Sequence, residues 1–519
     1  MSTAADEEAK IPNDAPTVPP LELVPIAPSR PGPSDNRVDI TFFADGYLAE
    51  ERAKFIQDVV GLVGEISGNQ TFHTVAPLLN FWAAFTPSKE SGVGVGGVPK
   101  DTPFGLYRDG TELRALYYAK PEVARAACDS LESRCDYPVL IGNDPLYGGG
   151  GLRRERRTIT PSKMNGALVL RHELGHSVIE VGEEYDGGFA YFGPNAGHDA
   201  SVPMPWAHWL TPHTLPADGL PRVERSVMPM QAYPWTLLNT STPWKTKFNS
   251  SGSYARHLVR FSLSGLPTTT DLTVLLDGDD LGWTAKEGLG VDRWHYDVHR
   301  DAPLGAGEHE VTFVLNAPAR EGGAQLCSVE ILEFGDEDEF SAAPGVYGVY
   351  PTVRPDPANT TSYRPTNEDC LMRIVDQPNF CRACVEGLWH ALLSRVDLIE
   401  SLGVECVPAP PDDRDDGAHA DGAMGREGRW TRALNASLLP LAGLRAVGEA
   451  RGGQEAYAIA WTRDGNAVEA FANATYVVLE EGQDRGRFEV AVEFLTEEVR
   501  VDPEGLLKST RFVDITSGC

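Results

Sequence analysis

The sequence predicts an α/β core interrupted by a small β-sandwich and followed by a C-terminal β domain. Three observations carry that prediction. Strand-like and helix-like runs alternate between residues 38 and 141, as a sheet flanked by helices requires. From Arg256 to Phe334 the pattern changes to short alternating runs separated by Gly and Asp turns. Near the end, Phe488, Val490, Val492 and Phe494 alternate with Glu489, Ala491 and Glu493, the signature of a strand with one face in water.

Taken in order, residues 1–36 are Pro-rich and lack apolar periodicity, so they read as a leader or linker. Val38 to Phe43 reads as a strand, Asp45-Gly46-Tyr47 as a turn, and the segment from Ala49 as a helix that aligns Phe55, Val59, Leu62, Val63 and Ile66. Leu79–Phe85 and Tyr137–Ile141 are expected strands, with a helix over Val123–Leu131 between them. The glycine run 148–151 lets another backbone come close, which suits a substrate-binding edge and equally a plain loop. The basic run Arg153, Arg154, Arg156, Arg157 reads as a solvated loop, and residues 187–250 as irregular loops packed by aromatics. A helix is expected from Cys381 to Leu402, with Val385, Leu388, Leu392, Val396 and Ile399 in register. The expected boundaries are a core at 37–252 and 337–407, the sandwich at 253–336, a linker at 408–428 and the C-terminal domain at 429–519. The sandwich is read as an insertion or spacer, and neither β region shows a catalytic constellation.

With 519 residues and 41% hydrophobic content the chain can bury several cores. Its net charge of −30 argues against a nucleic-acid partner, and no apolar run approaches the ~18 residues of a membrane helix. The start has neither a basic n-region nor an apolar h-region, so no signal peptide is present in this numbering. Six Asn-x-Ser/Thr sequons, at Asn69, Asn239, Asn249, Asn359, Asn435 and Asn473, nevertheless point to the secretory route. So do eight cysteines, enough for four disulfides. Cys128 and Cys135 are spaced for a local bridge, and Cys381-x-x-Cys384 reads first as part of a disulfide set. Half of a structural zinc site and a redox pair are the alternatives, against which stand the lack of a second Cys-x-x-Cys and of a thioredoxin-like pattern around it.

The chemistry concentrates at His172-Glu173-Leu174-Gly175-His176. On a helix, residues i and i+4 share a face, so His172 and His176 can offer imidazole nitrogens to one zinc ion. Glu173, one step round, is then placed as general base toward a water. A third ligand is sought among the acids after the expected helix stop at Gly182, with Glu183 preferred and Glu184 second. The strict pattern of Gly three and His or Asp six residues after the second His fails, because Ile179 and Gly182 stand there.

With the flanking blocks, His172 to Ser177 and Gly182 to Tyr185 resemble the active-site segment of the metallopeptidase family that includes the bacterial IgA proteases. Asp45-Gly46-Tyr47, Tyr147-Gly148-Gly149, Tyr363-Arg364-Pro365, Cys370-Leu371-Met372-Arg373 and Cys381-x-x-Cys384 follow the same order. The resemblance implies a metzincin-like catalytic domain, a mixed sheet with an active-site helix, holding one catalytic Zn2+ on His172, His176 and Glu183 with Glu173 as base. It implies a Met-turn at Met372, for which Met228 and Met230 are rivals by position, and an oxyanion role for Tyr363. Glu180 stands where the family commonly has glycine. The expected activity is that of a secreted zinc endopeptidase acting on a protein or glycoprotein substrate. The alternative is a secreted binding protein or adhesin, inactive or weakly active, that works through its β domains. The sequence is silent on structural Ca2+, on oligomeric state and on cleavage specificity.

Overall fold

The computed structural model describes residues 16–26, 32–68, 71–110, 113, 115–152, 156–188, 190–212, 222–336, 339, 341, 343–353, 361–374, 377–408, 430–441, 455–480 and 484–519. Most of the expected 408–428 linker, much of the Pro-rich leader, Arg153, Arg154, Asn69 and Asn359 fall outside those residues.

The architecture is mixed α/β with several sheets. Its centre is a six-stranded sheet, in the order 22–25, 79–85, 38–45, 137–142, 156–159, 149–152. The four inner strands are parallel and the two edges antiparallel. Strand Val38–Asp45 is buried along its whole length, as a central parallel strand must be when both faces are covered. Helix α1, Arg52–Ser67, buries the predicted stripe of Phe55, Val59, Leu62, Val63 and Ile66. Helix α2 spans Pro121–Asp129. Helix α3, Gly166–Leu174, packs beside α1 and runs into one π turn, Gly175–Ile179.

The glycine run forms the edge strand Gly149–Leu152. A Cβ on Gly149 would lie 2.2 Å from Cγ1 of Val169 on α3, so glycine lets the helix press onto this edge. Asp45 ends the central strand at the same end of the sheet as Gly149. Its buried carboxylate accepts the N–H groups of Phe104 and Leu106, each at 2.8 Å, and the Thr102 hydroxyl at 2.9 Å. The Asp-Gly-Tyr block is therefore a loop anchor.

The sandwich starts earlier than the sequence suggested. Ser226–Ala232, Thr236–Leu237 and Trp244–Ser250 are strands within it, not irregular loops. Pro229, Pro234 and Pro243 hide their alternation, and the pairing around Pro229 is offset by a register shift opposite Ile331 and Glu333, where a proline is tolerated. Its two sheets, of five and four strands, enclose Val259, Phe261, Val274, Phe313, Val329 and Ile331.

Helix α4, Arg382–Leu393, is shorter than expected. The Asp397 carboxylate takes the Ile399 N–H at 2.9 Å, and Ile399–Pro408 becomes a strand paired with Trp430–Leu438. Val396 and Ile399, three residues apart, had fitted the helical period. The β-rich C-terminal region thus begins at Ile399 rather than after 428, and its two sheets share a core of Leu434, Trp461, Val477 and Val490. It docks on α4, where Glu386 accepts the N–H groups of Arg500 and Val501 and the Trp389 indole donates to Glu498.

Candidate metal centre and active-site cleft

Helix α3 and the segment after its π turn bring three side chains to one point. His172 Nε2 lies 3.2 Å from His176 Nε2, which lies 3.1 Å from Glu183 Oε1; Glu183 Oε2 lies 3.3 Å from His172 Nε2. Donor atoms on a tetrahedral zinc at about 2.05 Å stand roughly 3.3 Å apart, so the set has zinc spacing and the N, N, O chemistry zinc prefers. His176 Nδ1 is turned to the Val181 carbonyl at 2.8 Å, which leaves Nε2 for a metal, the usual outer support for a ligating histidine.

Burial disfavours charge here, yet the interactions within the trio override it. The Glu183 carboxyl is held well below its ordinary range by His176 and His172, against desolvation. His176 is raised to about 9 by Glu183, again against desolvation.

The turn between the histidines and the acid depends on Glu180. Its φ of 59° is left-handed, and its N–H donates to the Gly175 carbonyl, closing the helix. Glycine favours this conformation, and Glu180 adopts it nonetheless. Beyond it, Gly182 and Glu183 bond to the carbonyls of Phe192 and Ala190 at 2.8 and 2.7 Å. A Cβ on Gly182 would meet the Phe192 nitrogen at 2.4 Å. Glu183 faces the histidines, while Glu184 turns to Cys370, Cys381 and Cys384.

Glu173 lines the same cavity as His172 and Glu183, a space of about 300 Å³. Its Oε2 lies 3.5 Å from Arg157 Nη1. Arg157 is 6% exposed, so the solvated-loop reading fails for this residue. Tyr185 also lines the cavity, close enough to Glu183 for the carboxylate to act on its hydroxyl electrostatically. Tyr363 is not among the lining residues; it sits on strand Thr361–Arg364, its backbone paired to Gly197. Tyr147, Tyr185 and Tyr233 occupy the cavity wall instead. Met372 lies beneath the helix, its sulfur 3.1 Å from where a Cβ on Gly175 would sit, and its carbonyl accepts the Glu184 N–H at 2.9 Å. Met228 and Met230 are on a sandwich strand.

The far wall of the cavity is the sandwich. Arg260 stands opposite Asp297 and Glu330, and Ser262 opposite His295 and Ser328, on three paired strands. All but Ser262 of these line the cavity. The alternate residues, Val259, Phe261 and Val329, enter the sandwich core. The sandwich is thus part of the cleft and not a spacer. Its polar rows look in sequence like an ordinary solvent face, which is why the period alone did not reveal them.

Cys128–Cys135 and Cys406–Cys519 are disulfides, while the other four cysteines, all buried, are outside any disulfide. Four disulfides are therefore not formed. Asn239, Asn249, Asn435 and Asn473 are exposed. Among the described residues no helix is long and apolar enough to cross a membrane.

Comparison with known proteins gives one family match: residues 25–218 fit the model of the IgA Peptidase M64 family. No curated protein matches the chain. Among solved structures, a β-porphyranase of glycoside hydrolase family 86 from Bacteroides plebeius is 14% identical, over 22% of this chain and 21% of its own, with a TM-score of 0.16. A family 35 carbohydrate-binding module from Clostridium thermocellum is 10% identical, over 20% of this chain and 90% of its own, with a TM-score of 0.14. Dimeric latent PorU from Porphyromonas gingivalis is 9% identical, over 30% of this chain and 20% of its own, with a TM-score of 0.18. Likenesses this slight carry no argument about function. Residues 25–218, which contain His172, Glu173, His176 and Glu183, are thus similar to the IgA peptidase M64 family.

Proposed function

We propose that the protein is a zinc-dependent endopeptidase of metzincin-like design, with His172, His176 and Glu183 as metal ligands and Glu173 as general base. The observation that carries this reading is the convergence of three zinc-spaced donor atoms on a cavity that Glu173 also lines. Zinc held there supplies Lewis acidity toward a scissile carbonyl and acidifies water. Glu173 takes the proton of the attacking water and passes it to the leaving amine, while Arg157 holds the carboxylate in place. Tyr147, Tyr185 and Tyr233 are the tyrosines on the cavity wall, and they stand before Tyr363 as candidates to stabilise the developing oxyanion. Met372 under Gly175 and the antiparallel edge strand beside α3 support the metzincin-like comparison.

The substrate is a protein or glycoprotein chain whose residues beside the cleaved bond meet the sandwich wall. Secretion is supported by the two disulfides and the four exposed sequon asparagines. The test is Glu173→Gln, assayed against a peptide library together with metal analysis. Hydrolysis is expected to fall by at least about 1,000-fold with metal retained at the histidine pair. Wild-type protein that binds no zinc at neutral pH, or a variant as active as wild type, would overturn the reading.

A further inference from the structure

On the opposite side of the acid pair, Cys370, Cys381, Cys384 and Glu184 gather from three separate stretches of chain, all buried, with their candidate ligand atoms within 4.8 Å of one another. We propose that these four side chains form a second, structural zinc site of the Cys3Glu type.

The spacing is the first support. Cys384 Sγ lies 3.6 Å from Cys381 Sγ and 3.9 Å from Cys370 Sγ. Thiolates on a tetrahedral zinc at about 2.3 Å stand roughly 3.8 Å apart. Glu184 is the second support. It is fully buried, Asn195 satisfies Oε1 at 2.9 Å, and Oε2 has no hydrogen-bond partner. A buried carboxylate oxygen left without a partner is costly, and a cation among the three sulfurs removes that cost. The third support lies around the cluster. The Cys381 N–H points at Cys370 Sγ, 3.4 Å away, the kind of outer contact that orients a ligating thiolate. Cys381 caps the N-terminus of α4 and Cys384 sits in its first turn, where the helix dipole favours negative charge. Arg373 donates to the Glu184 carbonyl at 3.2 Å, and the buried Arg364 is close enough to act electrostatically on Glu184.

Redox chemistry points the same way. A chain that carries two disulfides elsewhere matures where adjacent thiols oxidise, and three sulfurs at these distances persist as thiolates when a metal holds them. Binding is written as Zn2+ taking the three thiolates and the Glu184 carboxylate as ligands, with each group that is protonated in the free site releasing its proton to solvent. The site joins the segment that carries Glu183 to the loop that carries Met372 and to α4.

The assignment stands apart from the peptidase reading, and the experiment separates them. Zinc is counted by mass spectrometry in the purified full chain and in a His172→Ala/His176→Ala variant. About two ions per chain are expected in the first and about one in the second. Co2+ exchanged into that variant should give a thiolate-to-cobalt charge-transfer band, and a Cys381→Ser/Cys384→Ser change should abolish it. Should the cysteine variant not fold, thiols are titrated in denatured wild type without reductant. Four thiols and release of both zincs are expected. Two thiols, showing a disulfide within the trio, or no zinc in the histidine variant, would overturn the proposal.

Discussion

At the scale of single residues, the adjacent acids Glu183 and Glu184 divide the labour, one joining the histidine pair and the other the three cysteines. Glu183→Ala is therefore expected to weaken zinc binding at the histidine pair by more than the 10–100-fold typical of an outer partner. Glu184→Ala should change affinity at that pair less than about tenfold. Chelator competition on both variants checks the order, and the reverse order would move the ligand. Glu180 is the other telling residue. A left-handed non-glycine residue carries a penalty of about 1 kcal/mol or more, and its φ is 59°. Glu180→Gly is expected to keep activity and to raise stability by roughly 0.5–1 kcal/mol, measured by urea unfolding; a loss of 1 kcal/mol or more would show that its side chain, not its backbone, matters there.

At the scale of elements, α3 is held by a buried cation. Arg171, 1% exposed, donates to the Glu65 carbonyl at the end of α1 at 3.1 Å and to the Pro378 carbonyl before α4 at 3.3 Å. Burial lowers its pKa to about 10, still charged at neutral pH. Arg171→Met leaves both carbonyls without this donor, and a destabilisation of roughly 2–4 kcal/mol is expected, read from the urea midpoint. The elements most legible in the sequence were those whose burial imposes a period, such as α1 and the central strands. Errors arose where one spacing serves two structures, as at Val396 and Ile399, and where prolines mask a strand, as at Pro229. The histidine pair was legible because its ligands are four residues apart on one helix. The cysteine cluster was legible only in half, as Cys381-x-x-Cys384, because Glu184 and Cys370 join it through tertiary folding.

At the scale of the whole molecule, the sandwich and the six-stranded sheet enclose the cleft between them, so the charge of the sandwich wall is tied to folding. Glu330 stands in that wall beside Arg260, and burial, only partly offset by Arg260, pushes its carboxyl from 4.5 up to about 7. The sign follows directly. A folded-state value above the unfolded one means that the native protein binds the proton more tightly, so this contribution is complete below about pH 4.5 and is lost as pH rises toward 7. Glu330→Gln, neutral at every pH, lacks that loss. The stability of the variant relative to wild type should therefore increase between pH 5 and pH 8, by up to about 3 kcal/mol for a shift of this size. Urea unfolding of both proteins at the two pH values measures it. A difference independent of pH would mean that Arg260 and its neighbours keep Glu330 ionised throughout, and that its carboxylate in the cleft wall is fully charged at pH 5.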